Sequence, residues 1–394
     1  MSDPIVIVDA CRTPMGSFQG ALSPVTAPQL GALAIAEAVK RAGISATDVD
    51  EVIMGNVLPA GLGQAPARQA SLGAGLPLAA GCTTINKMCG SGMKATMLAH
   101  DLIMAGTNEI MICGGMESMS NAPYLLPKAR QGLRMGHGAV LDHMFLDGLE
   151  DAYDKGKLMG VFAESCADKY AFSREAQDDF AITSLKRAQN AITEGRFAAE
   201  ITPVTVQHKR EAQVVAQDES PFNARIDKIP QLRPAFRTDG TVTAANSSSI
   251  SDGAAALVLM PQSLAAARGL NPRARILGHA THAHAPEWFT TAPVGAIEKS
   301  LAKTGLGVAD IDLFEINEAF AVVTMAAMAE LKLDHEKVNV HGGACALGHP
   351  IGASGARILV TLLAALEHYD LNTGVAALCI GGGEATSVVI ERIK

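Results

Sequence analysis

A chain of 394 residues is too long for one ordinary hydrophobic core, so we expect two or three domains. Its formal net charge of −8, without any long block of Lys or Arg, excludes a typical nucleic-acid-binding surface. The 48% of hydrophobic and 18% of charged residues indicate a well-buried α/β protein, and no apolar run approaches the roughly 18 residues of a membrane span.

The cellular location is predicted from the first residues and from the cysteines. The sequence Met1-Ser2-Asp3-Pro4 lacks the basic and then apolar layout of a secretory leader. Seven cysteines are scattered without paired spacing, which favours free thiols in a reducing compartment. We therefore expect a cytoplasmic protein.

The N-terminal part of the chain alternates short apolar strands with helices. Strands are predicted over 4–9, 51–54 and 109–113, and helices over 30–41 and 92–105. Buried strands that alternate with helices indicate mostly parallel sheets covered by helices on both faces.

A middle segment, 120–242, differs from what precedes it. It carries more charge, and several glycines surround Met135. A helix is predicted over 174–194, because Ser173 is a favourable N-cap followed by an acidic first turn. We interpret this segment as an insert between two larger units.

The C-terminal part repeats the N-terminal part at a nearly constant offset. Matching positions are Gly43 and Gly305, Gly92 and Gly355, and Glu117 and Glu384. A repeat of this length indicates a duplicated domain rather than a solenoid. Two such halves would pack together and place equivalent loops at one site.

Cys89 lies where a strand-like segment meets a predicted helix. Gly90 and Gly92 would let a substrate approach the backbone. The free amides of a helix start favour the thiolate, and lowering the thiol pKa by ~1.5 units would make the side chain nearly half ionised at pH 7. The alternative is a buried, inert cysteine.

Three further side chains follow strands or lie in glycine-rich loops. His349 lies within the loop 342–355, and its ordinary pKa near 6.5 suits proton transfer, although a structural role is the alternative. Cys379 precedes three glycines, and a buried cysteine is again the alternative. Asn317 opens a predicted helix, where it could simply be an N-cap.

Together, four segments resemble the motifs of the thiolase family: 86–92, 317–320, 348–352 and 379–383. The resemblance runs from Val6 to Ile393. It implies the thiolase fold, in which two duplicated α/β halves with mixed five-stranded sheets form αβαβα layers, plus an inserted loop domain. The implied N-terminal half is 1–119 and 243–268, the loop domain is 120–242, and the C-terminal half is 269–394.

The resemblance also implies a role for each motif. Cys89 is the nucleophile and His349 deprotonates it. Cys379 is the acid and base that moves the α-carbon proton. Asn317 positions a water that holds the enolate oxygen with His349, while the amides of Gly381 and Cys89 form an oxyanion hole.

Substrate contacts follow from weaker parts of the resemblance. Ser248, in a loop with Ala244, matches the position that touches the pantetheine arm of coenzyme A. Met159 and Phe320 match residues that line the acyl and pantetheine channel, with ordinary core packing as the alternative. Arg225 is a candidate contact for the adenine.

The implied activity is an acyl transfer between coenzyme A thioesters, which are substrates. Two acetyl-CoA molecules give acetoacetyl-CoA and CoA reversibly, through an acetyl-Cys89 intermediate and ping-pong kinetics. The alternative is a degradative 3-ketoacyl-CoA thiolase of broader chain length, for which Asn246-Ser247-Ser248 is mild support. Leu158 stands where many short-chain members have His, which removes one polar contact to CoA and leaves the acyl preference open. We expect a homotetramer that binds neither nucleic acid nor membrane and has no metal or resident cofactor.

Three competing interpretations are less favoured. A β-ketoacyl synthase shares this fold but has a second His or an Asn where this chain has Cys379. A catalytically silent scaffold would be expected to have lost Cys89, His349 or Cys379. The trio His279, His282 and His284 could be drawn as a zinc site, but we interpret it as a solvated loop after a strand over 275–277.

Overall fold

The structure is a computed structural model that describes residues 3–208 and 211–394. The leader prediction rests partly on residues 1–2, which lie outside the described residues. None of the described helices is both long enough and apolar enough to cross a lipid bilayer.

Fourteen strands and eleven helices are present in the described residues. The strands are β1 (Ile5–Arg12), β2 (Gly16–Ser17), β3 (Glu51–Gly55), β4 (Gly81–Ile85), β5 (Met111–Ser118), β6 (Tyr124–Leu125), β7 (Leu141–Asp142), β8 (Val204–His208), β9 (Glu211–Val215), β10 (Ser251–Pro261), β11 (Ala274–Ala283), β12 (Leu313–Ile316), β13 (Thr373–Ile380) and β14 (Glu384–Arg392). The helices are α1 (Ala27–Ala42), α2 (Pro66–Gly73), α3 (Ser91–Met104), α4 (Met159–Tyr170), α5 (Arg174–Thr193), α6 (Ser220–Asn223), α7 (Gln262–Ala267), α8 (Ala292–Thr304), α9 (Ala321–Leu331), α10 (Ala344–Leu347) and α11 (Ser354–His368). Each strand and helix predicted above is found, with ends that differ by a few residues.

Each half contributes a mixed sheet. The strand order is β12-β13-β14-β11-β1-β10-β5-β3-β4, with β2 added to β10. Strand β3 is parallel to β4 and β5, and β12 is parallel to β13, whereas the other neighbours are antiparallel. The N-terminal half has the five strands β1, β3, β4, β5 and β10. The C-terminal half has four strands and an isolated bridge from Phe314 to Val338.

Helices α3 and α11 lie between the two sheets and cross at paired glycines. A Cβ added to Gly92 would lie 2.8 Å from the amide nitrogen of Ala356, and one added to Gly355 would collide with the amide nitrogen of Met93. The two backbones therefore touch, which only glycine permits. Helices α1 and α2 cover the outer face of the N-terminal sheet and α8 covers that of the C-terminal sheet, which gives the predicted five layers.

Two of the three histidines, His279 and His282, lie on a strand, so their placement in a loop was wrong, whereas His284 lies just beyond the strand. Strand β11 continues to Ala283, beyond both His279 and His282. His279 faces helix α3, where its ring nitrogen lies 2.9 Å from Asp101. His282 instead packs against Gly295 of helix α8. The strand therefore separates these two rings onto opposite faces of the sheet.

The insert is tied to the N-terminal half by a buried ion cluster. The Arg12 guanidinium of β1 donates to Glu200 at 2.5 Å and to Asp218 at 2.6 and 2.9 Å. All three side chains are fully buried, so each charge depends on the others for compensation. This cluster fixes how the insert sits against β1.

His341 gives the fold a testable response to acid. Its ring is fully buried, and neither nitrogen has a hydrogen-bond partner among the described residues. Burial lowers the pKa of His341 to about 3. A base whose pKa is lower in the folded protein stabilises the fold above its unfolded pKa, near 6.5, and this stability is lost as the pH falls from there towards 3.

Replacing His341 with Phe should lower by one the number of protons that the protein takes up when it unfolds in acid. The free energy of unfolding of the wild type is expected to fall between pH 6 and 4 more steeply than that of His341→Phe, by up to about 1.4 kcal/mol per pH unit. Urea unfolding at several pH values measures the difference. The exposed His137→Gln is the control. Identical slopes for His341→Phe and wild type would refute the assignment.

Candidate active site

One cavity of about 330 Å³ lies where loops of both halves and the insert meet. It places Cys89 of the N-terminal half beside His349 and Cys379 of the C-terminal half. The convergence expected from the duplication is therefore present in the structure. Seven of the residues singled out in the sequence line this cavity: Cys89, Met159, Ser248, Phe320, His349, Cys379 and Gly381.

The turn that carries Cys89 is held in an unusual backbone conformation. Strand β4 ends at Ile85 and helix α3 begins at Ser91, so the chain reverses within five residues. Met88 has φ +47°, a left-handed conformation that costs a non-glycine residue about 1 kcal/mol or more. The Ser91 hydroxyl donates to the Met88 carbonyl at 2.6 Å and accepts from the Lys87 amide at 2.8 Å. These bonds hold the turn and so the position of the thiol.

The Cys89 thiol is protonated in the resting protein. Burial raises its pKa to about 11, although the amides of Gly381 and of Cys89 itself act in the opposite direction. The sequence-based expectation of a thiol that is nearly half ionised was wrong, because desolvation outweighs the helix start. A reaction at this sulfur must therefore remove its proton as the new bond forms rather than before.

His349 can accept that proton through Nε2. Its Nδ1 lies 2.5 Å from the Ser354 hydroxyl, which itself donates to the Pro350 carbonyl at 2.9 Å. The hydroxyl must therefore accept from Nδ1–H, which leaves the Nε2 lone pair free. Burial lowers the pKa of His349 to about 3, not the ordinary value assumed from the sequence, so the ring is neutral at pH 7.

Asn317 lies behind His349 and does not cap a helix. Helix α9 begins at Ala321 with Phe320 at its N-cap, so the capping alternative was wrong. The Asn317 Nδ2 is 3.5 Å from His349 Nδ1, and its Oδ1 is buried without a partner among the described residues. The unpaired oxygen leaves one polar group available beside the imidazole.

Cys379 ends a buried strand and enters a glycine turn. Burial raises its pKa well above the ordinary value, and the neighbouring Cys89 adds to the shift. Gly382 and Gly383 have φ +91° and +85°, a conformation that favours glycine, and they form the turn between β13 and β14. Because a Cβ on Gly90 would collide with Ile380, the loops that carry the two thiols lie in direct contact.

Glu117 is a buried carboxylate that the sequence analysis did not place in the site. It accepts hydrogen bonds from the Asn56 side chain at 2.7 Å and from the amides of Val57 at 2.9 Å and Leu58 at 3.2 Å. It also accepts from the Gly352 amide at 2.9 Å, three residues after His349. One side chain of the N-terminal half thus holds the loop that carries the base.

The repeat supplies the reciprocal contact. Glu384, the counterpart of Glu117, pairs with Lys87, two residues before Cys89. Each half therefore uses the same carboxylate to hold the catalytic loop of the other half. The recurrence of this Glu in both copies was the sequence signal that could have identified Glu117.

Replacing Glu117 with Gln should slow catalysis more than it weakens the fold. The side-chain amide cannot accept all the bonds that the carboxylate accepts, so the Gly352 loop shifts and kcat falls about 10- to 100-fold. Steady-state kinetics and thermal melts measure both effects. The matched control is Glu164→Gln, a buried carboxylate that accepts from the amides of Thr241 and Val242. Equal kcat losses in both variants would contradict the assignment.

Two predicted substrate contacts lie outside the residues that line the cavity. Ala244 is exposed, and Arg225 is exposed and paired with Asp227 at 3.1 Å. Their roles stay predictions. The sequence analysis missed the wall that the insert supplies, because its apolar residues form a π-helix, Phe145–Leu149, without a recognisable motif. Further lining residues of the insert are Leu146, Leu149, Tyr153 and Lys155, and Phe289 of the C-terminal half also lines the cavity.

The sequence and the structure of this chain are similar to those of known proteins. Residues 5–263 match the thiolase N-terminal domain and residues 270–392 match the thiolase C-terminal domain. An acetyl-CoA acetyltransferase of Escherichia coli is 52% identical over 99% of both chains. The crystal structure of the Bacillus anthracis acetyl-CoA acetyltransferase superposes with a TM-score of 0.97 at 42% identity, covering 100% of this chain and 99% of that one. The Acat5 thiolase of Ascaris suum, solved in complex with coenzyme A, superposes with a TM-score of 0.94 at 43% identity. The match covers 99% of this chain and 100% of the Ascaris suum chain.

Proposed function

Since this chain belongs to the thiolase family, we propose that it is an acetyl-CoA C-acetyltransferase. It joins two acetyl-CoA molecules into acetoacetyl-CoA and releases CoA, and it also catalyses the reverse thiolysis. Near-full-length identity of about half to acetyl-CoA acetyltransferases supports this activity. The observation that carries it is the convergence of two thiols and one imidazole in a single cavity.

The first half-reaction moves an acetyl group onto Cys89. His349 Nε2 takes the thiol proton while the sulfur attacks the thioester carbonyl. The amides of Gly381 and Cys89 stabilise the oxyanion that develops. The carbon–sulfur bond to CoA breaks, and the departing CoA sulfur takes the Cys379 proton, which leaves Cys379 as a thiolate.

The second half-reaction forms the carbon–carbon bond. The Cys379 thiolate removes a proton from the α-carbon of a second acetyl-CoA. Because burial raises the pKa of Cys379, its thiolate is a stronger base towards this weakly acidic carbon. The enolate carbon attacks acetyl-Cys89, and the released Cys89 sulfur recovers its proton from His349. Every proton is then back in its starting position.

Asn317 and the cavity wall position the substrate in this scheme. The Asn317 side chain holds a water that, with His349, binds the enolate oxygen of the nucleophile. Met159, Ser248 and Phe320 line the cavity beside the thiols, where they contact the acyl and pantetheine parts. Arg225 contacts the adenine end.

Ping-pong kinetics and acetyl labelling test the proposed activity. Labelled acetyl-CoA should leave one acetyl group on Cys89, and in the thiolysis direction double-reciprocal plots for acetoacetyl-CoA at several CoA concentrations should be parallel. A panel of 3-ketoacyl-CoA thioesters separates the short-chain activity from a degradative thiolase. We expect acetoacetyl-CoA to be cleaved with the highest kcat/KM. Faster cleavage of longer chains would favour the degradative alternative.

We also propose a cytoplasmic homotetramer acting in fatty acid metabolism. The described part of the insert exposes apolar side chains that a partner could cover, namely Leu126, Leu133, Met135 and Val140, at 48%, 50%, 98% and 62% exposure. All seven cysteines are free thiols, which supports a reducing compartment. Light scattering coupled to size exclusion measures the assembly, and replacing Met135 with Asp should shift it towards dimers.

A further inference from the structure

Two histidines and an aspartate meet at a contact between the halves, away from the catalytic cavity. His100 and Asp101 lie near the end of helix α3, and His279 lies on strand β11. The Asp101 Oδ1 is 3.1 Å from His100 Nδ1 and 2.9 Å from His279 Nε2. All three potential ligand atoms lie within 4.8 Å of one another.

These separations match the edge lengths of a small coordination polyhedron. A tetrahedral zinc ion, bound at about 2.0–2.1 Å from each ligand, holds neighbouring ligand atoms about 3.3 Å apart. The two measured separations from Asp101 are within a few tenths of that value. Small rotations of the two rings, which stand at 87° to each other, would bring all three atoms to one ion.

The accessibility of the three side chains suits a bound ion with water as a further ligand. The histidine side chains are only 16% and 13% exposed, and so are held by their surroundings, whereas Asp101 is 53% exposed. An ion could therefore enter past Asp101 and keep one position open to solvent.

We propose that His100, Asp101 and His279 form a binding site for a divalent transition-metal ion such as zinc. Two imidazoles and one carboxylate favour zinc, cobalt or nickel over magnesium and calcium, which prefer oxygen ligands alone. Binding places the ion on Nε2 of His279 and Nδ1 of His100. The proton of each neutral ring then occupies its other nitrogen.

The ion would fasten the N-terminal half to the C-terminal half. Helix α3 starts two residues after the nucleophile, and β11 is the strand of the C-terminal half that pairs with β1 of the N-terminal half. The Lys303 ammonium donates to the His279 carbonyl at 2.9 Å, so a positive charge lies near the site. With three protein ligands and this neighbouring cation, we expect a dissociation constant on the order of micromolar.

Cobalt titration of the untagged full-length protein tests the site. Wild type should bind one equivalent and show visible ligand-field bands of nitrogen and oxygen coordination, without the charge-transfer band that a thiolate ligand adds. This spectrum distinguishes the proposed site from binding at the catalytic cysteines. Zinc should displace the cobalt, and excess magnesium should not.

Three variants decide the outcome. Asp101→Asn and His279→Ala should weaken cobalt binding at least tenfold. His282→Ala, on the opposite face of the same strand, should bind like wild type. Thermal melts without metal establish that each variant is folded. If His279→Ala fails to fold, Asp101→Asn still tests the site, because Asp101 is largely exposed and its replacement should not disturb the fold. Unchanged binding in Asp101→Asn, or no binding by wild type at millimolar cobalt, would overturn the proposal.

Discussion

Cys89→Ala is expected to lower both condensation and thiolysis at least about 10⁴-fold, because the acyl carrier is lost and the other thiol of the cavity, Cys379, is the acid and base of the proposed reaction. The variant should also fail to retain an acetyl group after incubation with acetyl-CoA. Intact-protein mass spectrometry detects that group directly, and a coupled assay of acetoacetyl-CoA cleavage measures turnover.

The matched control for Cys89→Ala is Cys82→Ala. Cys82 lies on strand β4, seven residues upstream, and is a partly exposed free thiol that does not line the cavity. It should keep wild-type turnover and acetyl labelling. Residual labelling of Cys89→Ala to one equivalent would mean that another residue carries the acyl chain, and the nucleophile would have to be reassigned.

Cys379→Ser should separate the two half-reactions. A serine hydroxyl ionises far less readily than a thiol, so removal of the α-carbon proton should slow about 10³-fold. Acetyl-Cys89 should still form, since the nucleophile and His349 are intact and a thiol of ordinary pKa, near 8.5, can leave as the thiolate without the proton that Cys379 otherwise gives it. The expected result is therefore a protein that accumulates one acetyl group and does not condense it.

Rapid-quench labelling measures acyl formation, and acetoacetyl-CoA production measures condensation. Cys166→Ser is the control, because Cys166 is a buried thiol in the same apolar cluster as Cys379. It should lose stability without separating the half-reactions. If Cys379→Ser condensed acetyl-CoA at the normal rate, another group would have to be the acid and base.

Much of the fold was predictable because its signals are local or repeated. Apolar runs marked β3 and β5, and the N-cap Ser173 marked the start of α5, where its side chain accepts from the Ala176 amide. The duplication then predicted how the halves approach each other. Equivalent glycines, Gly92 and Gly355, do meet at the centre of the molecule.

The properties of the site that depend on burial could not be read from the sequence. The thiol pKa of Cys89 follows from desolvation by segments distant along the chain, which outweighs the favourable helix start. The free nitrogen of His349 follows from the bond between Ser354 and Pro350. Glu117 accepts hydrogen bonds from four groups that lie up to 235 residues away from it along the chain. Such effects arise only once the chain is folded.

The glycine crossing of α3 and α11 has a consequence for how the enzyme turns over. Because the backbones touch at the midplane and β1 pairs with β11, the two halves form one continuous unit without a hinge between them. Substrate exchange must then rely on motion of the insert relative to the two fixed halves. Restricting that motion should slow product release and leave the rate of the chemical step unchanged.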